Sequence, residues 1–329
     1  MTKTALVAVG GNSLIRAGEK GTIAEQLANT RRTSASIVGL IRLGYHLVIT
    51  HGNGPQVGAQ LLRSERASDV AYSQTLEVCG AASQGEIGYL LAQSLRNELA
   101  AADINVPVVS LVTQTLVSPD DPAMQKPSKP IGPFYSKAVA EAKHRELGWL
   151  IVEDASRGYR RVVPSPEPIE IVELDAIRGL MEQGTLVIST GGGGVPVISV
   201  NGALQGVEAV IDKDRASALL ATELGVDCFV ISTDTDYVYL NYRKLGQVPL
   251  KRVSEAEMKK HLDDGHFPSG NMGPKVESVL RFLESGGTEA VITSFEHLCD
   301  AVQGKAGTHI VRDTKARENE VEGELSVVG

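Results

Sequence analysis

The sequence predicts an α/β protein in which a mainly parallel, open sheet is covered by helices on both faces. Two observations carry this. Apolar runs of strand length are each followed by a glycine or polar turn and then by a segment with helical spacing, the order that builds parallel strands joined by crossover helices. Aromatic residues make up only 4% of the 329 residues while glycine occurs 34 times, which suits an aliphatic sheet core with many tight strand-to-helix turns.

Taken in order, residues 5–9 read as a strand ending in Gly10-Gly11-Asn12. Helical spacing follows from Glu25 to Leu43, with Gly44 as its stop. A second strand, 46–50, ends in His51-Gly52-Asn53-Gly54, so an apolar strand again runs into a glycine turn holding Asn. A helix over 85–99 and a strand over 108–112 continue the alternation. Eight of the fourteen prolines then fall between Pro119 and Pro168, which predicts an inserted, irregular protruding subdomain. After it come a helix over 175–183 capped by Gly184, a buried strand over 186–190 ending in Gly191-Gly192-Gly193-Gly194, and a hairpin turning at Asn201-Gly202. Strands over 228–232, 290–293 and 308–311 complete the pattern, and the charged segment 313–329 reads as a mobile tail. Each turn follows the carboxyl end of a strand, so all share the sheet edge where open α/β sheets bind ligands.

Two lysines stand out on that edge. Ile211-Asp212-Lys213-Asp214 leads into an Ala/Leu-rich helix closed by Gly225, and Gly273-Pro274-Lys275 opens another, with Pro274 at the first helical position. A helix start favours negative charge, so a lysine there points to an anion that neutralises it. Asp214 reads as a helix N-cap that also holds Lys213. A solvated lysine would explain either site alone, and a glycine turn is by itself an ordinary connection. Two lysines and three glycine turns on one edge favour a shared polyphosphate, with glycine N–H groups and the side chains of Asn12 and Asn53 as donors. Lys129, stiffened by Pro130 and Gly132-Pro133, is a third positioned cation.

Other chemistries are excluded by pattern. There is no Walker A loop, the spacing of Gly52, Gly54 and Gly58 misses the dinucleotide fingerprint, and no His pair has zinc-ligand spacing. A net charge of −8 argues against a general nucleic-acid or acidic-membrane binder. Three scattered cysteines and the absence of a bilayer-length apolar run predict a reduced, cytoplasmic protein. Phosphoryl transfer suits what remains, because it depends on positioning and charge neutralisation.

The motifs around Asn12, Asn53, Lys129, the Arg161–Pro166 loop, the four glycines from Gly191, Lys213 and Lys275 together resemble the carbamate kinases of the amino acid kinase family, from about residue 5 to 312. The resemblance implies a three-layer αβα sandwich and reversible phosphoryl transfer between ATP and carbamate. It also implies a homodimer and Mg2+ carried mainly on nucleotide phosphates, with no direct protein ligand. It divides residues 1–312 into an N-lobe (1–206, substrate side, with the subdomain at about 119–168) and a C-lobe (207–312, nucleotide side). Lys129, Lys213, Asp214 and Lys275 become catalytic. Gly10, Gly11, Asn12, Gly52, Asn53 and Gly54 become substrate and phosphoryl contacts, and Asp234, Tyr237, Val238, Met272, Gly273 and Lys275 nucleotide contacts. Arg215 departs from the family pattern, which has an apolar residue there, and Ser189-Thr190 stands where Ala-Cys is common. The alternatives are a sibling kinase for another carboxylate or phosphate, and a nucleotide-binding regulator without turnover.

Overall fold

The computed structural model describes residues 3–16, 18–153, 158–268 and 271–312. The expected tail, 313–329, and Gly270 lie outside the described residues.

Strand β1 (Lys3–Val9), helix α1 (Ile23–Arg42), β2 (Tyr45–His51), α2 (Gly54–Arg66), α3 (Leu76–Ala101) and β3 (Val108–Ser110) open the chain. β4 (Gln114–Val117) leads into the subdomain, formed by α4 (Pro122–Gln125), β5 (Lys129–Tyr135), α5 (Lys137–Leu147), β6 (Ile151–Glu153) and β7 (Tyr159–Val163). β8 (Pro168–Ile171), α6 (Leu174–Glu182), β9 (Leu186–Ile188), β10 (Val195–Val200) and β11 (Ala203–Gly206) return to the body. The remainder is α7 (Lys213–Leu224), β12 (Cys228–Thr233), β13 (Val238–Leu240), β14 (Val248–Leu250), β15 (Arg252–Ser254), α8 (Glu255–Asp263), α9 (Met272–Glu284), β16 (Glu289–Ser294), α10 (Leu298–Val302) and β17 (Thr308–Val311).

One eight-stranded sheet, in the order β15-β17-β16-β12-β1-β2-β9-β3, forms the middle layer. It is parallel from β16 to β3, and β17 runs antiparallel to β16. Its residues alternate between two cores. Leu6 and Ala8 pack with Leu220, Val276 and Phe282 of α7 and α9, while Ala5, Val7 and Val9 pack with Ile37, Leu91 and Leu298 of α1, α3 and α10. All five strand residues are fully buried, which is why β1 reads as a continuous apolar run. The three-layer sandwich follows directly. Among the described residues no helix is long and apolar enough to cross a membrane.

The hairpin of β10 and β11 turns as expected, with Asn201 and Gly202 both at positive φ. Several expectations are corrected. The 119–168 region is regular: it holds a three-stranded sheet ordered β5-β7-β6 and the helix α5. Its prolines occupy permitted places, namely Pro122 at the start of α4, Pro130 and Pro133 on the edge strand β5, and Pro168 at the first residue of β8. Helix α3 begins at Leu76 rather than Gly85, its helical glycines having masked its first turns. Helix α9 begins at Met272, so Pro274 is its third residue. The β13–β14 hairpin, β15 and α8 went unread.

The subdomain rests on α2. An added Cβ on Gly58 would stand 3.3 Å from the Cα of Gly132, so glycine at that point lets β5 come close. Val57, Leu61, Leu76, Cys79, Ile131 and Val163 then form a small core joining α2, α3 and the subdomain.

Candidate active site

Helix α7 starts where Asp212, in extended conformation, accepts from the Asp214 N–H at 2.9 Å through Oδ1. Asp212, not Asp214, is therefore the N-cap, and Asp214 is freed for another task. Its Oδ1 accepts from Lys213 Nζ at 2.5 Å and its Oδ2 from Lys275 Nζ at 3.0 Å. The other oxygen of Asp212 accepts from Lys129 Nζ at 2.9 Å, across 83 positions of sequence. Three lysines from β5, α7 and α9 are thus set in place by the two acids that flank Lys213.

The trio around Asp214 is nearly dry, with side-chain exposures of 5% for Asp214, 17% for Lys213 and 10% for Lys275. Burial by itself would raise the Asp214 carboxyl. The two ammonium groups overcome it and hold the group well below the ordinary carboxylate range. Burial lowers the Lys213 ammonium, and Asp214 opposes that pull only in part. For Asp212, burial again pushes upward, and Lys129 reverses it to a net lowering. Three cations against two anions leave a surplus positive charge at the amino end of a helix, a setting for an anion.

These groups face a cavity of about 930 Å3 whose wall includes Gly11, Gly52, Asn53, Gly54, Lys129, Lys213, Asp214 and Lys275. The glycine turns shape it. An added Cβ on Gly52 would meet the Gly11 nitrogen and the Lys213 Cδ, each at 3.2 Å, and one on Gly192 would fall on the Asn53 amide. Asn53 is held by a bond from its Nδ2 to Ser83 Oγ at 2.8 Å. His51, 1% exposed, packs beneath, with Nδ1 3.1 Å from the Gly52 carbonyl. Thr50 and Ser217 share a 2.6 Å hydroxyl bond that joins the end of β2 to the second turn of α7.

A family model described as the amino acid kinase family matches residues 3–294. A carbamate kinase of Thermococcus kodakarensis is 49% identical over 94% of this chain and 100% of its own. The carbamate kinase 3 of Staphylococcus aureus is 51% identical over 93% and 98%. The chain belongs to the amino acid kinase family, among its carbamate kinases. A solved structure of carbamate kinase from Giardia lamblia bound to AMP-PNP matches this amino acid kinase with a TM-score of 0.90 at 42% identity, covering 94% of the chain and 99% of that structure.

Not every residue expected in the site of this amino acid kinase lines the cavity. Gly10 lies behind it, buried, where an added Cβ would stand 2.8 Å from the Ser232 carbonyl oxygen. The side chain of Asn12 lies outside the described part of the molecule. Asp234 and Tyr237 follow the carboxyl end of β12, and Met272 and Gly273 form the first turn of α9, next to the cavity-lining Asn271 and Pro274. Val238 is fully buried in the core, its N–H donating to Thr308 Oγ1 at 2.8 Å.

Asp212 was missed, although an acid just before a helical run is an N-cap signal. Arg215 also lines the cavity. Its guanidinium bonds Glu167 at the root of β8 and reaches Glu277 of α9 at 3.3 Å, while Arg281 also grips Glu167. This charged clamp replaces the apolar contact that the family pattern led one to expect.

Proposed function

We propose that the chain catalyses reversible transfer of a phosphoryl group between ATP and carbamate, giving ADP and carbamoyl phosphate, and that it serves mainly to make ATP. The observation that carries this reading is the array of Lys129, Lys213 and Lys275 fixed by Asp212 and Asp214 around one glycine-walled cavity.

In the direction of ATP synthesis, a β-phosphate oxygen of ADP attacks phosphorus as the bond from phosphorus to the carbamate oxygen breaks. Carbamate leaves as an anion and in the reverse direction attacks as one, so no general base is needed. Lys213 stabilises the phosphoryl oxygens in flight, Lys275 the nucleotide phosphates, and Lys129 the acyl-phosphate side. Asp214 keeps two of these charges in register, and Asp212 the third. Backbone N–H groups of the turns at Gly11 and Gly52 cradle the transferring group, with Gly54 and Asn53 beside the carbamate. Asp234, Tyr237, Met272 and Gly273 border the nucleotide.

Asp212 and Asp214, the acids of this cavity, are engaged by lysines, a donor set that fits Mg2+ riding on the nucleotide phosphates, where it neutralises charge. The division into a substrate-side N-lobe (1–206) and a nucleotide-side C-lobe (207–312) belongs to the same reading. A homodimer is proposed too, supported by the exposed Val78 and Tyr89 on α3, and a cytoplasmic setting, supported by the free thiols of Cys79, Cys228 and Cys299.

The test mixes the protein with ADP, Mg2+ and fresh carbamoyl phosphate and follows ATP by luminescence. Rapid ATP formation is expected, falling by about 10²- to 10³-fold or more in Lys213→Ala. No ATP from a folded protein that binds ADP, or an undiminished rate in the variant, would overturn the reading.

A further inference from the structure

A second cavity, of about 660 Å3, lies between α2, the subdomain and the segment around Glu208. Its volume is that of a small-molecule site. On its wall stands Arg161, 8% exposed, with its guanidinium carbon 4.4 Å from the ring centre of Trp149. A cation this deeply buried needs an anionic partner. Glu208 supplies one at 2.8 Å, yet the Glu208 side chain is 53% exposed. A carboxylate so placed is readily hydrated once displaced, so another carboxylate that takes over the Arg161 fork can exchange with it without leaving the buried guanidinium unpaired. The second cation at this indole, Lys143, is held at 2.8 Å by Glu65, which is itself largely buried. The cavity also presents Ser68, Ser73 and Gln74 as polar lining.

We propose that this cavity is a second ligand site, taking a small carboxylate of hydroxy-acid or amino-acid size whose carboxylate replaces that of Glu208 on Arg161. One fork with one exchangeable partner suits a single carboxylate. A phosphate dianion would be under-neutralised, because Lys143 stays committed to Glu65.

Three elements carry this site toward the first cavity. Val163, on its wall, is the register partner of Lys129. Glu208 lies on the segment leading to Asp212, and α2 begins at Gly54 in the first cavity and runs past Glu65 in the second. An occupant that displaces Glu208 therefore shifts how Lys129 and Asp212 meet. This coupling, unlike the site itself, rests on the proposed function.

Trp149 is the single tryptophan of the chain and reports on this cavity directly. The full-length protein is titrated with L-malate and with L-glutamate, with sulfate at matched ionic strength as control, and tryptophan emission is read. A saturable change with at least one of the two acids and none with sulfate is expected. Glu208→Gln, at a half-exposed position that leaves the fold intact, should lower the half-saturating concentration about tenfold by removing the competing carboxylate. Arg161→Gln should abolish saturation. Lys213→Ala should leave the titration unchanged, which separates this site from the first. Unsaturable emission with both acids, an equal response to sulfate, or no shift in Glu208→Gln would overturn the site. In the ATP assay, the saturating acid should change KM for carbamoyl phosphate at least twofold in the wild type. Saturation with KM unchanged would retain the site and remove the coupling.

Discussion

Lys275 reaches Asp214 from a different helix, 61 positions away in sequence, and donates to the carboxylate oxygen that Lys213 leaves free. One acid therefore sets the spacing of two cations. Neither lysine could be placed so by its own helix, since both lie in first turns where the peptide dipoles repel them. Asp214 offsets that repulsion in the resting protein, and a phosphate group offsets it further when one is bound.

Asp214→Asn tests this arrangement. The amide keeps the size of the side chain and removes its charge, leaving two nearly buried ammonium groups facing each other. Stability measured by urea denaturation should fall by roughly 3–5 kcal/mol, and saturating Mg2+-ADP should recover part of it because bound phosphate replaces the missing charge. A loss under about 1 kcal/mol, of the order found for exposed pairs, together with wild-type turnover would rule out the assigned role.

Asp212 separates capping from positioning. Asn is as good an N-cap as Asp, so Asp212→Asn should change stability by less than about 1 kcal/mol while releasing Lys129 from its ion pair. KM for carbamoyl phosphate should then rise and kcat fall by about tenfold or more, with ADP affinity unchanged. Asp212→Ala should add the loss of the cap, about 1 kcal/mol. Equal weakening of ADP and carbamoyl phosphate would show that the bond to Lys129 does not serve the acyl-phosphate side.

Much of the site was legible because it breaks local rules. Lys213 and Lys275 announce themselves as cations where helices begin, and Gly11, Gly52 and Gly192 as repeated glycine turns at strand ends. What stayed hidden depended on backbone angles and long-range packing. Two aspartates flank Lys213, and only the extended conformation of Asp212 tells which one caps the helix. Proline is tolerated throughout a first helical turn, where N–H groups are unpaired, so Pro274 could not fix the start of α9 to the residue. The prolines of the subdomain signal irregularity unless one knows that β5 is an edge strand. The resemblance implies a nucleotide contact at Val238, and it does not show that alternation along β13 turns this side chain into the core.

Gly192 adopts φ +66°, and an added Cβ there would lie 2.1 Å from the Asn53 Nδ2. Gly192→Ala should therefore displace Asn53 from its bond to Ser83 and strain the turn by about 1–2 kcal/mol. The kinetic signature should be a fall in kcat/KM for carbamoyl phosphate, partly rescued by Asn53→Ala in the double variant, because removing the obstructing amide relieves the clash. Additive losses in the double-variant cycle would mean that the two positions do not interact.

His51 supplies a pH dependence whose sign can be worked out. Burial, with a smaller contribution from the Lys213 charge, lowers its imidazole from 6.5 to about 4, against an opposing bond to the Gly52 carbonyl. The folded protein thus keeps His51 neutral where the unfolded chain protonates it. Above pH 6.5 neither state binds the proton and the histidine is without effect. Between pH 6.5 and 4 the unfolded state binds more protons, so stability falls as pH falls, by up to ~3 kcal/mol from this residue. Below pH 4 both states are protonated and the loss levels off. His51→Gln lowers stability at every pH through packing against Gly191, whose absent Cβ would lie 2.5 Å from the ring. The informative quantity is the slope: denaturation midpoints followed from pH 7 to 4.5 should fall less steeply in the variant, by the equivalent of about one proton. Parallel slopes for the two proteins would mean that His51 takes up its proton at the same pH in the native fold as in the unfolded chain, and that the floor of the active cavity is wetter and less positive than its burial beside Lys213 implies.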